Sequence, residues 1–245
     1  MEKLMEEKKT TLWQEIKICR VDETNYPHDL KKIKDRPEVL YYRGNIDILN
    51  EHKSIAVVGS RKISAVGAKL AYNAGSIIGK NGFNLVNGLA LGCDAEALKG
   101  AMAEGGTCAV VLPCGIKEIY PQSNQWIAEE VLKQGGCLIS EYPEGTRPEK
   151  YRFVQRDRLQ SGMSQGVLVV EAMEKSGTMH TAEYAKKQNR RLACYYHGLL
   201  KYSTGNNVLE NLYQAAVIKT NEDLENYLCE IADIEEYTQL SFDFV

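Results

Sequence analysis

Two apolar runs that end in small residues constrain this chain more than anything else in it. They are Ser54-Ile-Ala-Val-Val-Gly-Ser-Arg-Lys62 and Gly166-Val-Leu-Val-Val-Glu-Ala-Met-Glu-Lys-Ser-Gly-Thr178. Each has the continuous hydrophobicity of a parallel strand buried on both faces. A strand that stops at Gly-Ser or Ser-Gly-Thr leaves backbone N–H groups and hydroxyls at the C-terminal edge of a sheet. The next helix begins there with its positive dipole end. Arg61 and Lys175 place a cation at each rim. This is chemistry for holding a phosphate, and these residues leave open whose phosphate it is.

Composition sets the frame around those runs. A chain of 245 residues, 44% hydrophobic, holds one full α/β domain and a small appendage. With 30 Lys+Arg against 33 Asp+Glu, the formal charge is −3, so a polyanion must be held by a local basic patch rather than by the global field. Seven cysteines is an odd number, and Cys93, Cys108, Cys114, Cys137 and Cys194 lie in or beside apolar runs, where reduced Cys packs as a small hydrophobe. With no signal peptide read at the start, a cytoplasmic protein is expected. No apolar stretch reaches the roughly 18 residues of a membrane span. There is no CxxC pair, and His28, His52, His180 and His197 are scattered, so no metal site and no cofactor is expected.

Along the chain, residues 1–45 read as a short leader packed on the core, with Tyr26-Pro27, Pro37 and Gly44 as punctuation. Residues 46–230 form the core domain, and residues 231–245 an acidic and apolar tail. Strands are expected over 55–59, 84–87, 108–112, 137–140, 167–171 and 191–195, and helices over 64–80, 94–104, 124–133 and 178–188. Strands alternating with helices of about a dozen residues predict an α/β fold, a parallel sheet with helices on both faces. Right-handed crossovers gather the loops that follow the strands on one edge, where ligand chemistry is expected.

Three loops and one charged segment meet that expectation. Gly59-Ser60-Arg61, with Lys62 beside it, is a tight turn whose guanidinium suits clamping a phosphate through two oxygens. Gly59 is followed only by Gly67, so no GxGxxG fingerprint exists and hydride transfer is disfavoured. In Asn87-Gly-Leu-Ala-Leu-Gly-Cys-Asp94, Gly88 and Gly92 permit close backbone approach, and Asp94 is expected to cap the following helix. Ser176, Gly177 and Thr178 complete a rim of hydroxyls and N–H groups at a helix start. His180 has no evident catalytic partner and reads as a packed or surface residue. Residues 147–158 interleave Arg147, Lys150, Arg152, Arg156 and Arg158 with Tyr151 and Phe153, broken only by Glu149 and Asp157. Cations neutralise a backbone while a ring stacks on any base, which suits single-stranded nucleic acid. The same pattern also describes a solvated helix face with Phe153 in the core.

Taken together, the motifs resemble the DNA-processing protein A family, also called DprA or Smf. The resemblance runs from Tyr26-Pro27, Pro37, Leu40, Tyr42 and Gly44 through Val57-Val-Gly-Ser-Arg61 and Asn87-Gly-Leu-Ala90. It continues in Gly105-Gly-Thr107, Tyr120-Pro121, Ser140-Glu-Tyr-Pro-Glu-Gly145, Phe153 with Arg156 and Arg158, Val169-Val-Glu-Ala172 with Ser176-Gly177, and Ser203-Thr-Gly-Asn-Asn207. It implies an extended Rossmann-like domain that binds single-stranded DNA without catalysis, forms a homodimer, and in relatives hands the strand to the recombinase RecA during natural transformation. Arg61 would clamp phosphate and Phe153 would stack, with Arg156, Arg158 and Lys175 as supporting cations. The chain departs from the family pattern at Val154, Asp157 and Leu91, where Pro, Asn and Arg are common, and it lacks the C-terminal winged-helix segment many relatives carry. The ending Gln239-Leu-Ser-Phe-Asp-Phe244 resembles peptides that dock on the bacterial sliding clamp.

A rival reading keeps the same pocket for a small nucleotide, as a sensor or a nucleotide hydrolase. Phosphoribohydrolases resembling this fold carry Gly-Gly-x-Gly-Thr-x-x-Glu. Here Thr178 is followed by Glu183, which misplaces the carboxylate, while Glu141 and Glu171 remain as strand-end acids without an evident base.

Overall fold

The computed structural model describes residues 15–242, with side chains described as far as Asp233. Nine strands form one sheet in the order β1-β2-β6-β5-β4-β3-β7-β8-β9. They are β1 (Lys17–Arg20), β2 (Val39–Gly44), β3 (Ser54–Val58), β4 (Asn84–Asn87), β5 (Cys108–Val111), β6 (Cys137–Ser140), β7 (Gly166–Val169), β8 (Arg191–Tyr195) and β9 (Ala216–Ile218). The helices are α1 (His28–Lys31), α2 (Ile48–Glu51), α3 (Ala65–Lys80), α4 (Cys93–Ala103), α5 (Gln125–Lys133), α6 (Lys150–Gly162), α7 (Thr178–Lys187), α8 (Thr204–Tyr213) and α9 (Asn221–Phe242).

The apolar runs become the centre of the sheet because nothing else in the chain can be buried on both faces. Every residue of β3, β4, β5, β6 and β7 is buried. These strands pair in parallel, with β3 joined to β4 on one side and to β7 on the other. The α/β class and the parallel core therefore stand as expected, with strand bounds within a residue or two of the sequence reading. α3 starts where Ser64, in extended backbone, accepts the Gly67 N–H on its hydroxyl at 3.0 Å. α3 packs on α4, and α6 packs on α7.

Chain order decides where a ligand can sit. From β3 the chain winds outward through β4, β5 and β6, then returns to the far side of β3 as β7 and winds the other way. Right-handed crossovers then put the two helix groups on opposite faces, and the crevice opens beyond the C-terminal ends of β3 and β7.

The segment before residue 46 supplies two strands of this sheet. β1 pairs antiparallel with β2, and β2 pairs antiparallel with β6, Tyr42 opposite Ile139. The alternating burial of β2, with Leu40 and Tyr42 inward, marks a strand covered on one face only, unlike the central strands. Fully buried Tyr26 donates to the Pro37 carbonyl at 2.7 Å, and Arg190 reaches Asp29 at 3.1 Å. The six cysteines in the packed part of the chain are buried and free, and burial pushes the Cys108 thiol up to about 12. No helix among the described residues is long and apolar enough to cross a membrane. The side chains of the Gln239-to-Phe244 ending lie outside the described residues.

Candidate nucleic-acid interface

The loops after β3 and β7 are knotted together by Glu171, which is fully buried. Its backbone carbonyl accepts the Ser60 N–H at 2.7 Å. Its carboxylate accepts the Ser64 N–H at 2.7 Å and the Tyr202 N–H at 3.1 Å. One residue, through its carbonyl and its carboxylate, thus fixes the Arg61 turn, the start of α3 and the loop before α8 in a single frame. The Ser60 carbonyl also accepts the Cys93 N–H at 3.1 Å. At Gly92, whose φ is +75°, a Cβ would lie 2.5 Å from that same carbonyl, so only glycine lets α4 begin there.

The third loop is held differently from the sequence expectation. Gly92, not Asp94, precedes α4 as its cap residue. The Asp94 carboxylate turns back, accepting the N–H of Gly88 at 3.0 Å and of Ala90 at 3.2 Å. Asn87 is fully buried; it donates to the Asp94 carbonyl at 2.9 Å and accepts the Leu89 N–H at 3.1 Å. Both donor and acceptor sides of its amide are thus committed to the loop, which corrects its assignment as a ligand contact. The loop carries strain: Leu89 has φ +59°, a left-handed conformation costing a bulky side chain about 1–3 kcal/mol. Asn87 below it and Asn124, which donates to the Leu89 carbonyl at 2.9 Å, hold it there.

Between these loops lies a cavity of about 1040 Å³. Gly59, Ser60, Arg61, Lys62, Ser176, Gly177 and Thr178 line it, as expected for its rim. No side chain caps the start of α7 at Gly177, and the buried Ser176 hydroxyl has no partner among the described residues. Both groups remain available to an anion. Arg61 and Lys62 are exposed. The Arg61 guanidinium stands over the Phe153 ring, 5.0 Å from its centroid, and pairs with no carboxylate among the described residues. Phe153 is half-buried and meets Tyr120 edge to face, with centroids 5.5 Å apart.

α6 forms the opposite wall. Lys150, Phe153, Val154, Asp157 and Gln160 all line the cavity, a spacing that puts one helical stripe toward it. Arg156 also lines the cavity but is almost wholly buried in its floor: it is 4% exposed, donates to the Val111 carbonyl and meets Asp157 at 3.3 Å. A Cβ on Gly88 would lie 1.8 Å from the Arg156 Nη1, so the glycine is the space the guanidinium occupies. Burial pushes the Asp157 carboxyl up to about 6, against the opposing pull of Arg156. Burial also raises Asp94, opposed by Arg156 and its two backbone donors.

Two expected cations are placed elsewhere. Arg158 forks onto Glu141 at 2.8 and 2.6 Å and donates to the Asp35 carbonyl at 3.0 Å, tying α6 to β6 and to the chain before β2. Its charge is spent on that joint, so it is corrected from a ligand cation to a structural one. Lys175 is exposed and its side chain does not line the cavity. The residues 147–158 are therefore both pictures at once: one stripe faces the crevice while Arg152 and Arg158 pair with Glu149 and Glu141 outside it. Lys150, named in the basic segment, and Tyr120, named in the Tyr120-Pro121 motif, line the cavity too, and so do Gln160 and Tyr202, which were not singled out. Gln160 was within reach through the helical spacing from Phe153; nothing local marks Tyr202.

A doubly wound sheet with an open crevice at its switch point defines a Rossmann-like α/β protein, with the crevice as its ligand site. The topology alone goes no further. The chain belongs to the DNA-processing protein A family: residues 17–228 match the family model described as DNA recombination-mediator protein A. It is 35% identical to DNA processing protein DprA of Bacillus subtilis, over 73% of this chain and 60% of that protein. The chain spans about half the length of the curated relatives it matches. Among solved structures, DprA from Streptococcus pneumoniae superposes with a TM-score of 0.77 at 29% identity, covering 89% of this chain and 76% of that one. DprA from Helicobacter pylori superposes with a TM-score of 0.79 at 28% identity, covering 88% and 96%, and is described as showing that protein's single-stranded DNA binding mode.

Proposed function

We propose that this chain is a single-stranded DNA-binding protein of DNA processing and recombination, which holds a strand by its phosphates at the switch-point crevice. The carrying observation is Arg61 poised over Phe153 at the lip, a free cation and a ring presented together. In this reading the Arg61 fork, the Ser176 hydroxyl and the uncapped start of α7 grip phosphates, while Phe153 offers a face on which a base stacks. Arg156 acts from within the floor, holding Asp157 and the Gly88 turn in place. Membership of the family and the Helicobacter relative's described binding mode support the assignment. Action in the cytoplasm, homodimer formation, delivery of the strand to RecA and docking of the tail on the sliding clamp belong to the same proposal.

Catalysis is no part of it. Both oxygens of Glu171 are committed to backbone donors, and neither Glu141 nor Glu183 lines the cavity. That argues for binding rather than nucleotide hydrolysis.

The test is fluorescence anisotropy with labelled poly-dT, duplex DNA and mononucleotides at two salt concentrations. The proposal expects poly-dT to bind best, with affinity falling steeply as salt rises, because the release of counterions drives it. Preference for mononucleotides over poly-dT sinks it in favour of the small-nucleotide reading.

A further inference from the structure

The cavity floor presents acceptors that nothing in the protein satisfies. Gln160 is 2% exposed and lines the cavity, yet its Oε1 has no hydrogen-bond partner among the described residues. Its Nε2 donates to Asp157 Oδ1 at 2.9 Å. That orientation is dictated by chemistry: a carboxylate only accepts, so the amide must turn its NH2 toward Asp157 and leave its oxygen facing away. Asp157 Oδ1 also takes the Arg156 Nε at 3.3 Å, while its Oδ2 receives no donor among the described residues. One hydrogen bond therefore locks two side chains on the same stripe of α6 with an unfilled acceptor on each.

A buried orphan acceptor such as Gln160 Oε1 is rare in folded proteins and asks for a donor. Beside it Asp157 Oδ2, on a side chain still partly open to the cavity, also has room for one, so the pair asks for two neighbouring donors. Of the four DNA bases only guanine has them on its pairing edge, at N1–H and the 2-amino group. Adenine and cytosine set one amino group beside an acceptor, and thymine flanks its single N–H with two carbonyls. Phe153 and Val154, on the same stripe, supply the apolar wall against which a flat ring rests.

We infer that the floor is a guanine subsite, in which Asp157 Oδ2 and Gln160 Oε1 accept the N1–H and 2-amino donors of a base whose phosphate lies at Arg61. This rests on the strand-binding reading for the source of the base, though not for its chemistry. It makes binding selective: a strand carrying guanine at the pocket is held more tightly than one carrying only thymine.

Anisotropy on the full chain tests this with a labelled dT oligomer and the same oligomer carrying one central dG, deoxyinosine or dA. One dG tightens binding about tenfold, deoxyinosine, which lacks the 2-amino group, recovers less than about threefold, and dA gives no gain. Asp157→Asn, which swaps an acceptor for a donor, brings the dG-to-dT ratio to about one. Equal affinity for all four oligomers overturns the guanine subsite while leaving strand binding intact; this comparison needs no variant and so does not depend on one folding. An Asp157→Asn ratio equal to that of the parent chain also overturns it. Calorimetric titration with dGMP, dAMP and dTMP separates the sources: if no oligomer binds but dGMP does, the subsite stands and the strand reading falls. If dGMP binds no better than dTMP and the oligomers are indistinguishable, the subsite falls.

Discussion

The Arg61 guanidinium and the Phe153 ring stand 5.0 Å apart although they come from opposite walls of the crevice, one on the turn after β3 and the other on α6. The contact orients the cation without neutralising it, since a ring face attracts charge but does not cancel it. Arg61→Ala should lower the slope of log affinity against log salt by about 0.7, the share of one phosphate contact on a single strand. Arg61→Lys should recover the slope but not the full affinity, because an ammonium lacks the two-pronged fork. Phe153→Leu should weaken poly-dT binding by about 1–3 kcal/mol with the slope unchanged, since it removes stacking and no charge. Anisotropy titrations across a salt series read all three.

Gly88 and Arg156 share a space that only one of them can fill. Gly88→Ala would set a methyl 1.8 Å from the guanidinium, which must then leave its place between Asp157 and the Val111 carbonyl. The expected cost is about 1–3 kcal/mol of folding stability, from overpacking, read by urea denaturation. Gly82→Ala is the comparison: no atom lies within 4 Å of its Cβ position, but its φ of +75° imposes backbone strain alone.

Glu171 should prove a structural acid. Glu171→Ala leaves the part-buried Ser64 and Tyr202 N–H groups without acceptors and should cost at most about 2–6 kcal/mol, taking one to three for each orphaned donor. Glu171→Gln keeps one acceptor and should lose roughly half as much. Urea denaturation of both variants, beside any nucleotide turnover of the parent chain, separates this role from a catalytic one. Turnover that vanishes in Glu171→Gln while stability holds would refute it.

Acid should strengthen the grip on an all-thymine strand. The Asp157 carboxyl is raised from 3.8 to about 6, so the folded chain holds this proton more tightly than the unfolded one. Its contribution to stability is therefore greatest below about pH 4 and declines as pH rises through about 6. The same protonation removes a negative charge from the cavity floor, so affinity for poly-dT should rise as pH falls through about 6. Arg156, Asp94 and His180 face the same carboxyl and shape its titration. The rise should flatten in Asp157→Asn and persist in His180→Ala; a pH series of anisotropy titrations on the three proteins decides it.

Much of the frame could be read from residues alone. The runs ending at Gly59 and Glu171 had to be central strands, because their continuous hydrophobicity is tolerable only where both faces are covered. Ser64 announced the start of α3 by its position before the helix, and Gly88 and Gly92 announced close approach. β1, β2 and β9 were not legible. They lie at or next to the edges of the sheet with alternating or partial burial, and their pairing depends on β6 and β8, which are distant in sequence.

Asp94 and Arg158 show where local reading ends. Asp94 stands where a helix cap is commonly found, yet the returning loop offers it two backbone donors and it takes those. Arg158 looks like its neighbour Arg156 in the sequence, but the turn of α6 aims it at Glu141 and away from the crevice. The chain by itself determined which strands are buried, where the glycine turns fall and that cations crowd one sheet edge, because hydrophobic period and backbone freedom are properties of neighbouring residues. Folding decided which charges stay free and which acceptors stay empty. A side chain's partner is chosen by what packs against it, and that is settled only when distant strands and helices meet.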